Sequence, residues 1–260
     1  MALRIAFDLD GVLADMEAEL LRQARILFGD QALRPPLEPP PTRAPEPQSL
    51  ADTTKEDVGT PDEREPSVPG AKAAPDHASS IGFRLTPRQQ SRLWRHVESI
   101  DGFWESLSEI EPGIVAKLGA LSTDRRWEII FLTKRPRSAG ATAQLQTQRW
   151  LESRGFRLPS VYVVQGSRGR IAAALGLDFV VDDRPENCLD VVIDSKARAI
   201  LVWRGDENLL PVAAKRLGIG VVKSVADCLD ILTLADSPLE RRGVVGRVMR
   251  LLGLKTPAHA

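Results

Sequence analysis

Ala6-Phe7-Asp8-Leu9-Asp10-Gly11-Val12-Leu13-Ala14-Asp15 decides how the rest of the chain reads. Leu3 to Phe7 is a short apolar run of strand type, and Asp8 and Asp10 stand where it ends. Side chains of an extended chain alternate between faces, so residues two apart share one. Asp8 and Asp10 therefore project side by side, and Gly11 lets the backbone turn away. Two carboxylates in one site repel unless a cation or a proton sits between them. The pair asks for a metal. The same Asp-X-Asp-Gly pattern is also good turn chemistry, so other segments have to decide between site and turn.

Three later segments do so. Phe131-Leu132-Thr133-Lys134-Arg135-Pro136 and Val180-Val181-Asp182-Asp183-Arg184-Pro185 each follow an apolar strand, and Gly166-Ser167-Arg168-Gly169-Arg170 lies between them and opens a helix. Thr133 at a strand end, followed by Lys134 and Arg135, presents hydroxyl and cationic donors where a phosphate would sit. Asp182 and Asp183, at the carboxyl end of a parallel strand, lie where such sheets place ligands.

In this order the segments resemble the motif series of the haloacid dehalogenase (HAD) superfamily of phosphohydrolases. Asp-Leu-Asp-Gly-Val-Leu-Ala-Asp and Asp-Asp-Arg-Pro-Glu-Asn look most like its 5'(3')-deoxyribonucleotidase-like branch. The resemblance covers residues 1–28 and roughly 100–205. It implies that Asp8 is the nucleophile, Asp10 the acid/base and Thr133 the phosphate-binding hydroxyl. Magnesium would be held by Asp8, the Asp10 backbone carbonyl and one of Asp182 and Asp183, and it suits an all-oxygen donor set. Gly11, Lys134 and Arg135 fall among the substrate-binding positions. The family's lysine is missing: no lysine occurs between Lys134 and Lys196, and Arg168 or Arg170 stands in for it. Phe103 and Trp104, beside Gly102, either stack on a nucleobase or anchor the core.

Composition narrows the alternatives. The 260 residues carry 35 lysines and arginines against 35 acidic residues, so no global field draws the chain to a nucleic acid polymer or a membrane. Two cysteines, Cys188 and Cys228, make no disulfide framework, and Cys188 reads as a buried structural thiol. No signal pattern opens the chain and no apolar run reaches membrane-spanning length. A cytoplasmic protein is the expectation.

Residues 1–28 and 101–236 read as the core: an α/β, HAD-like Rossmannoid three-layer sandwich, its parallel sheet covered by helices on both faces. A helix is predicted over Met16–Phe28, which Asp15 caps unless it touches substrate. Residues 29–80 hold eleven of the nineteen prolines and read as a disordered insertion whose partner, if it has one, is unknown. The family inserts a cap domain in this interval, so the cap is reduced, with residues 81–100 its helical remnant. Helices are further predicted over Pro112–Leu121, Ser138–Glu152 with Leu145 inward, Asn208–Leu217 and Val225–Leu234. Residues 237–260 read as a basic amphipathic helix and tail. The reading is a magnesium-dependent phosphate monoester hydrolase, nucleotidase-like, acting on a small phosphorylated substrate such as a (deoxy)nucleoside monophosphate. A phosphatase of another phosphometabolite and a non-catalytic binding protein of the same fold are the alternatives.

Overall fold

A computed structural model describes residues 2–30 and 85–236. The proline-rich segment and the basic tail expected at 237–260 lie outside the described residues, apart from Gly29 and Asp30. Six parallel strands are ordered β3-β2-β1-β4-β5-β6: β1 Arg4–Asp8, β2 Glu128–Thr133, β3 Ser160–Val163, β4 Phe179–Asp182, β5 Arg198–Val202 and β6 Gly220–Val222. Register is direct at the centre, where Phe7 lies between Phe131 and Val181. The α-helices among the described residues are α1 Met16–Phe28, α2 Pro87–Ser99, α3 Ile114–Arg125, α4 Ala143–Ser153, α5 Arg168–Leu175, α6 Pro185–Asp194, α7 Val212–Arg216 and α8 Val225–Ala235.

Alternation along the strands sorts the core into two halves, as a pleated sheet covered on both sides requires. Ile5, Phe7, Ile129, Phe131, Val181 and Ile200 face one cluster with residues of α1 to α4 and α8. Ala6, Ile130, Leu132, Val180, Ala199 and Leu201 face the other, with α5, α6 and α7. This is the three-layer α/β/α arrangement that the strand and helix order predicts.

From β1 the chain steps outward to β2 and β3, then returns to lay β4 on the other side of β1. The strand order therefore reverses between β1 and β4, which opens a crevice at the carboxyl ends of the strands. Asp8 closes β1, Thr133 closes β2 and Asp182 closes β4. The topology alone gathers three of the residues singled out in the sequence.

Local chemistry fixes the helix starts. Asp15 caps α1 by accepting from the Ala18 amide at 3.0 Å. Thr86 and Gln89 form a reciprocal capping box on α2, with Pro87 in its first turn. α2 packs beside α1, where the His96 ring meets Gln23 at 3.0 Å. α4 departs from its predicted start. It begins at Ala143 behind a Thr142 cap, because the Gln146 side chain donates to the carbonyls of Ala139 and Ala141 and holds the preceding segment as a loop. Leu145 is 41% exposed: Gln146 and Thr147, four residues before Trp150 and Leu151, share their face and are the inward positions. α7 is shorter than predicted because Glu207–Leu209 forms a separate turn.

Candidate active site

A cavity of about 370 Å³ opens at the crevice, lined by Asp8, Asp10, Gly11, Thr133, Lys134, Arg168 and Asp183 among others. β1 ends at Asp8, and Asp10 comes from the turn that follows rather than from the strand itself. Residues 9–14 coil tightly there: the amides of Leu13 and Ala14 both donate to the Leu9 carbonyl at 2.8 Å, and Gly11 donates to Ala14 at 3.1 Å. Gly11 has φ +88°, and a Cβ on it would lie 2.0 Å from Asp183 Oδ2. Only glycine combines that backbone with that proximity.

Two buried arginines organise the carboxylates. Arg168 Nη2 donates to Asp8 Oδ1 at 2.5 Å, and its Nε lies 3.6 Å from Asp182 Oδ2. Its Nε and Nη1 have no hydrogen-bond partner among the described residues, although the side chain is only 2% exposed. Arg135 grips Asp10 through Nε at 2.9 Å and Nη2 at 2.7 Å, and Thr133 Oγ1 donates to Asp10 Oδ2 at 3.2 Å. Asp182 accepts from both the Asn187 amide, at 3.0 Å to each oxygen, and the Arg184 backbone N–H at 2.9 Å. Asp183 Oδ1 is buried and finds no partner among the described residues.

Crowding of like charge follows. Burial first, then the Asp182 carboxylate, pushes Asp8 well above the ordinary carboxylate range, and Arg168 opposes the shift. Burial and the neighbouring Asp182 push Asp183 up to about 7. Among the described residues no three acidic, imidazole or thiol groups converge as a ready-made metal cage. The chemistry of the site nevertheless suits a hard divalent cation. Four carboxylates face two arginines, and the unpartnered Asp183 oxygen is one that an ion of this kind would satisfy.

The structure separates the other predicted residues. Arg168 enters the site, whereas the Arg170 side chain is 86% exposed and lies 4.0 Å from Asp194. Their positions on α5 explain this: the first residue of the helix faces the sheet and the third faces outward. Lys134 lines the cavity. Arg135 sits at the predicted place, but its donors are turned to Asp10 and Thr147, not outward to a ligand. Phe103 and Trp104 are fully buried and packed edge to face, with ring centroids 4.8 Å apart. They anchor the core and leave no open face for a base, although Trp104 backs the cavity wall. Cys188 is buried, and burial with nearby carboxylates holds its thiol protonated.

One part of the site escaped the sequence reading. Trp203-Arg204-Gly205, just beyond β5, lines the cavity. Arg204 donates to the Gly11 carbonyl at 2.6 Å and to Glu111 at 2.7 Å. Glu111 also accepts from the first backbone amides of α8, at Val225 and Ala226. A cation directly after a buried parallel strand was the available signal, since ligands gather at that end of the sheet.

No protein-family model matches the chain, and no curated protein matches it in sequence. Among solved structures, a HAD family hydrolase from Deinococcus radiodurans R1, determined with bound phosphate and sodium, aligns at a TM-score of 0.50 and 14% identity over 90% of this chain and 96% of that one. A hydrolase from Pseudomonas syringae aligns at 0.47 and 17% identity, over 89% and 98%. Among the described residues no helix is long and apolar enough to cross a membrane. Likeness at such identity speaks for architecture, and the chain has the HAD-like fold, a six-stranded parallel sheet between two layers of helices.

Proposed function

We propose that the chain is a phosphate monoester hydrolase that works through an aspartyl-phosphate on Asp8, with nucleoside or deoxynucleoside 5'-monophosphates as its substrate class. The observation that carries this reading is Arg168. A buried guanidinium with unpartnered nitrogens, held against a carboxylate at the switch point of the sheet, is poised for an incoming oxyanion. A buried donor without an acceptor is costly, and the equatorial oxygens of a phosphoryl group would supply the acceptors.

An Asp8 oxygen attacks phosphorus, and the ester P–O bond breaks with its electron pair passing to the leaving oxygen. Asp10 donates the proton that oxygen needs. Water then attacks the same phosphorus, Asp10 takes its proton, and the bond to Asp8 breaks, releasing inorganic phosphate. Thr133 and Lys134 stand beside the path of the phosphoryl group, and Arg168 takes the charge-screening place of the missing lysine. Magnesium, held by Asp8, the Asp10 carbonyl and Asp182 or Asp183, would offset the repulsion between Asp8 and the phosphate. The nucleotide preference rests on the motif resemblance. With Phe103 and Trp104 in the core, Trp203 on the cavity wall is the aromatic available to a base.

Phosphate release from a panel of monoesters, with and without magnesium, tests the reading. Turnover that Asp8→Asn abolishes is the expected result, fastest on nucleoside monophosphates. Preference for another ester would move the substrate class and leave the chemistry. Turnover that survives Asp8→Asn would overturn it, as would no release from any ester.

A further inference from the structure

Arg135 has no role left at the substrate. Its side chain is fully buried. Nε and Nη2 lie side-on across the Asp10 carboxylate, at 2.9 and 2.7 Å, and Nη1 donates to Thr147 Oγ1 at 2.8 Å. Thr147 is itself committed, donating to the Ala143 carbonyl at 2.6 Å. The guanidinium carbon sits 4.9 Å from the Trp104 ring centroid. Trp104 is held in turn by its Nε1 donating to Pro136 and by its backbone N–H donating to Gln146, each at 3.1 Å. A continuous buried chain of contacts thus runs from α4 to the back of Asp10. Such supporting contacts fix the plane of a carboxyl more tightly than its own torsions allow.

We infer that Arg135 is the positioning residue for Asp10. It clamps the carboxyl from behind, so that proton delivery to the leaving oxygen depends on Arg135 although Arg135 meets no substrate atom. The inference rests on the phosphatase reading. It concerns how that reaction discriminates among leaving groups.

The test uses the full-length protein and two kinds of ester. An alkyl phosphate needs its leaving oxygen protonated, whereas 2,4-dinitrophenyl phosphate does not. Arg135→Met should lower kcat about a hundredfold on the alkyl ester and only a few-fold on the dinitrophenyl ester, with KM little changed. Arg135→Lys, which keeps the charge and loses the fork, should fall between. Equal losses on both esters, or a rise in KM with kcat intact, would overturn the positioning role. Wild-type protein that turns over neither ester would defeat the phosphatase reading itself, and the inference with it. If Arg135→Met does not fold, Thr147→Val removes the outer anchor and keeps the arginine. It should show the same graded loss, about tenfold on the alkyl ester, and an ungraded loss or none would overturn the proposal.

Discussion

A single methyl group would do harm at Gly11. Its φ of +88° disfavours any side chain, and the added carbon would sit 2.0 Å from an Asp183 oxygen. Gly11→Ala should therefore lose more than about 2 kcal/mol in denaturant unfolding and bring turnover to background; near-normal values for both would refute the packing described for this turn. Residues of this kind were legible because chemistry and position coincide. Asp8, Asp10, Thr133 and the Asp182-Asp183 pair each stand at a strand end or just past it, where topology says where they go, although Asp10 is placed by the turn after β1 and not by strand alternation. Arg135, Arg170, Phe103 and Trp104 were read less well, because one sequence position names a side chain without saying which neighbours it meets. Thr147, a full turn into α4, gave no local sign that it would anchor an arginine twelve residues upstream.

At the scale of elements, the contact between α5 and α6 limits what the site tolerates. Gly169 lies so close to α6 that a Cβ would stand 2.0 Å from the Asp190 carbonyl oxygen. Because Arg168 precedes it in the first turn of α5, Gly169→Ala should both destabilise the fold, by about 2–3 kcal/mol, and reduce turnover through a displaced Arg168. Unchanged thermal stability would show that the helices have room to part. The capping box of α2 is a milder case. Thr86→Ala should cost about 1 kcal/mol in chemical denaturation and leave kinetics alone, since no residue of α2 lines the cavity. Strands were the most readable elements, their apolar runs bounded by turns. The start of α4 is not legible in the sequence, because the glutamine that holds back the helix acts through its side chain, which periodicity does not register.

For the whole molecule, the decisive quantity is the uncompensated negative charge at the crevice. A carboxyl whose folded pKa is raised holds its proton more tightly in the folded chain than in the unfolded one, where the value is about 3.9. Asp183, pushed up to about 7 by burial and by Asp182, therefore favours folding at low pH and withdraws that support as pH climbs from about 4 to about 7. In metal-free buffer the melting temperature should decline across that window. Asp183→Asn should be more stable than wild type at pH 8, and magnesium should raise the wild-type melting temperature there more than that of the variant. A variant less stable than wild type at pH 8 without metal would contradict the electrostatic account. Glu111 adds a mechanical side to this balance. One of its oxygens receives both the Val225 amide of α8 and the Arg204 that steadies the Gly11 carbonyl. The last described helix and the first described loop thus share a single strut, and loosening α8 would slacken the turn that carries Asp10 and Gly11.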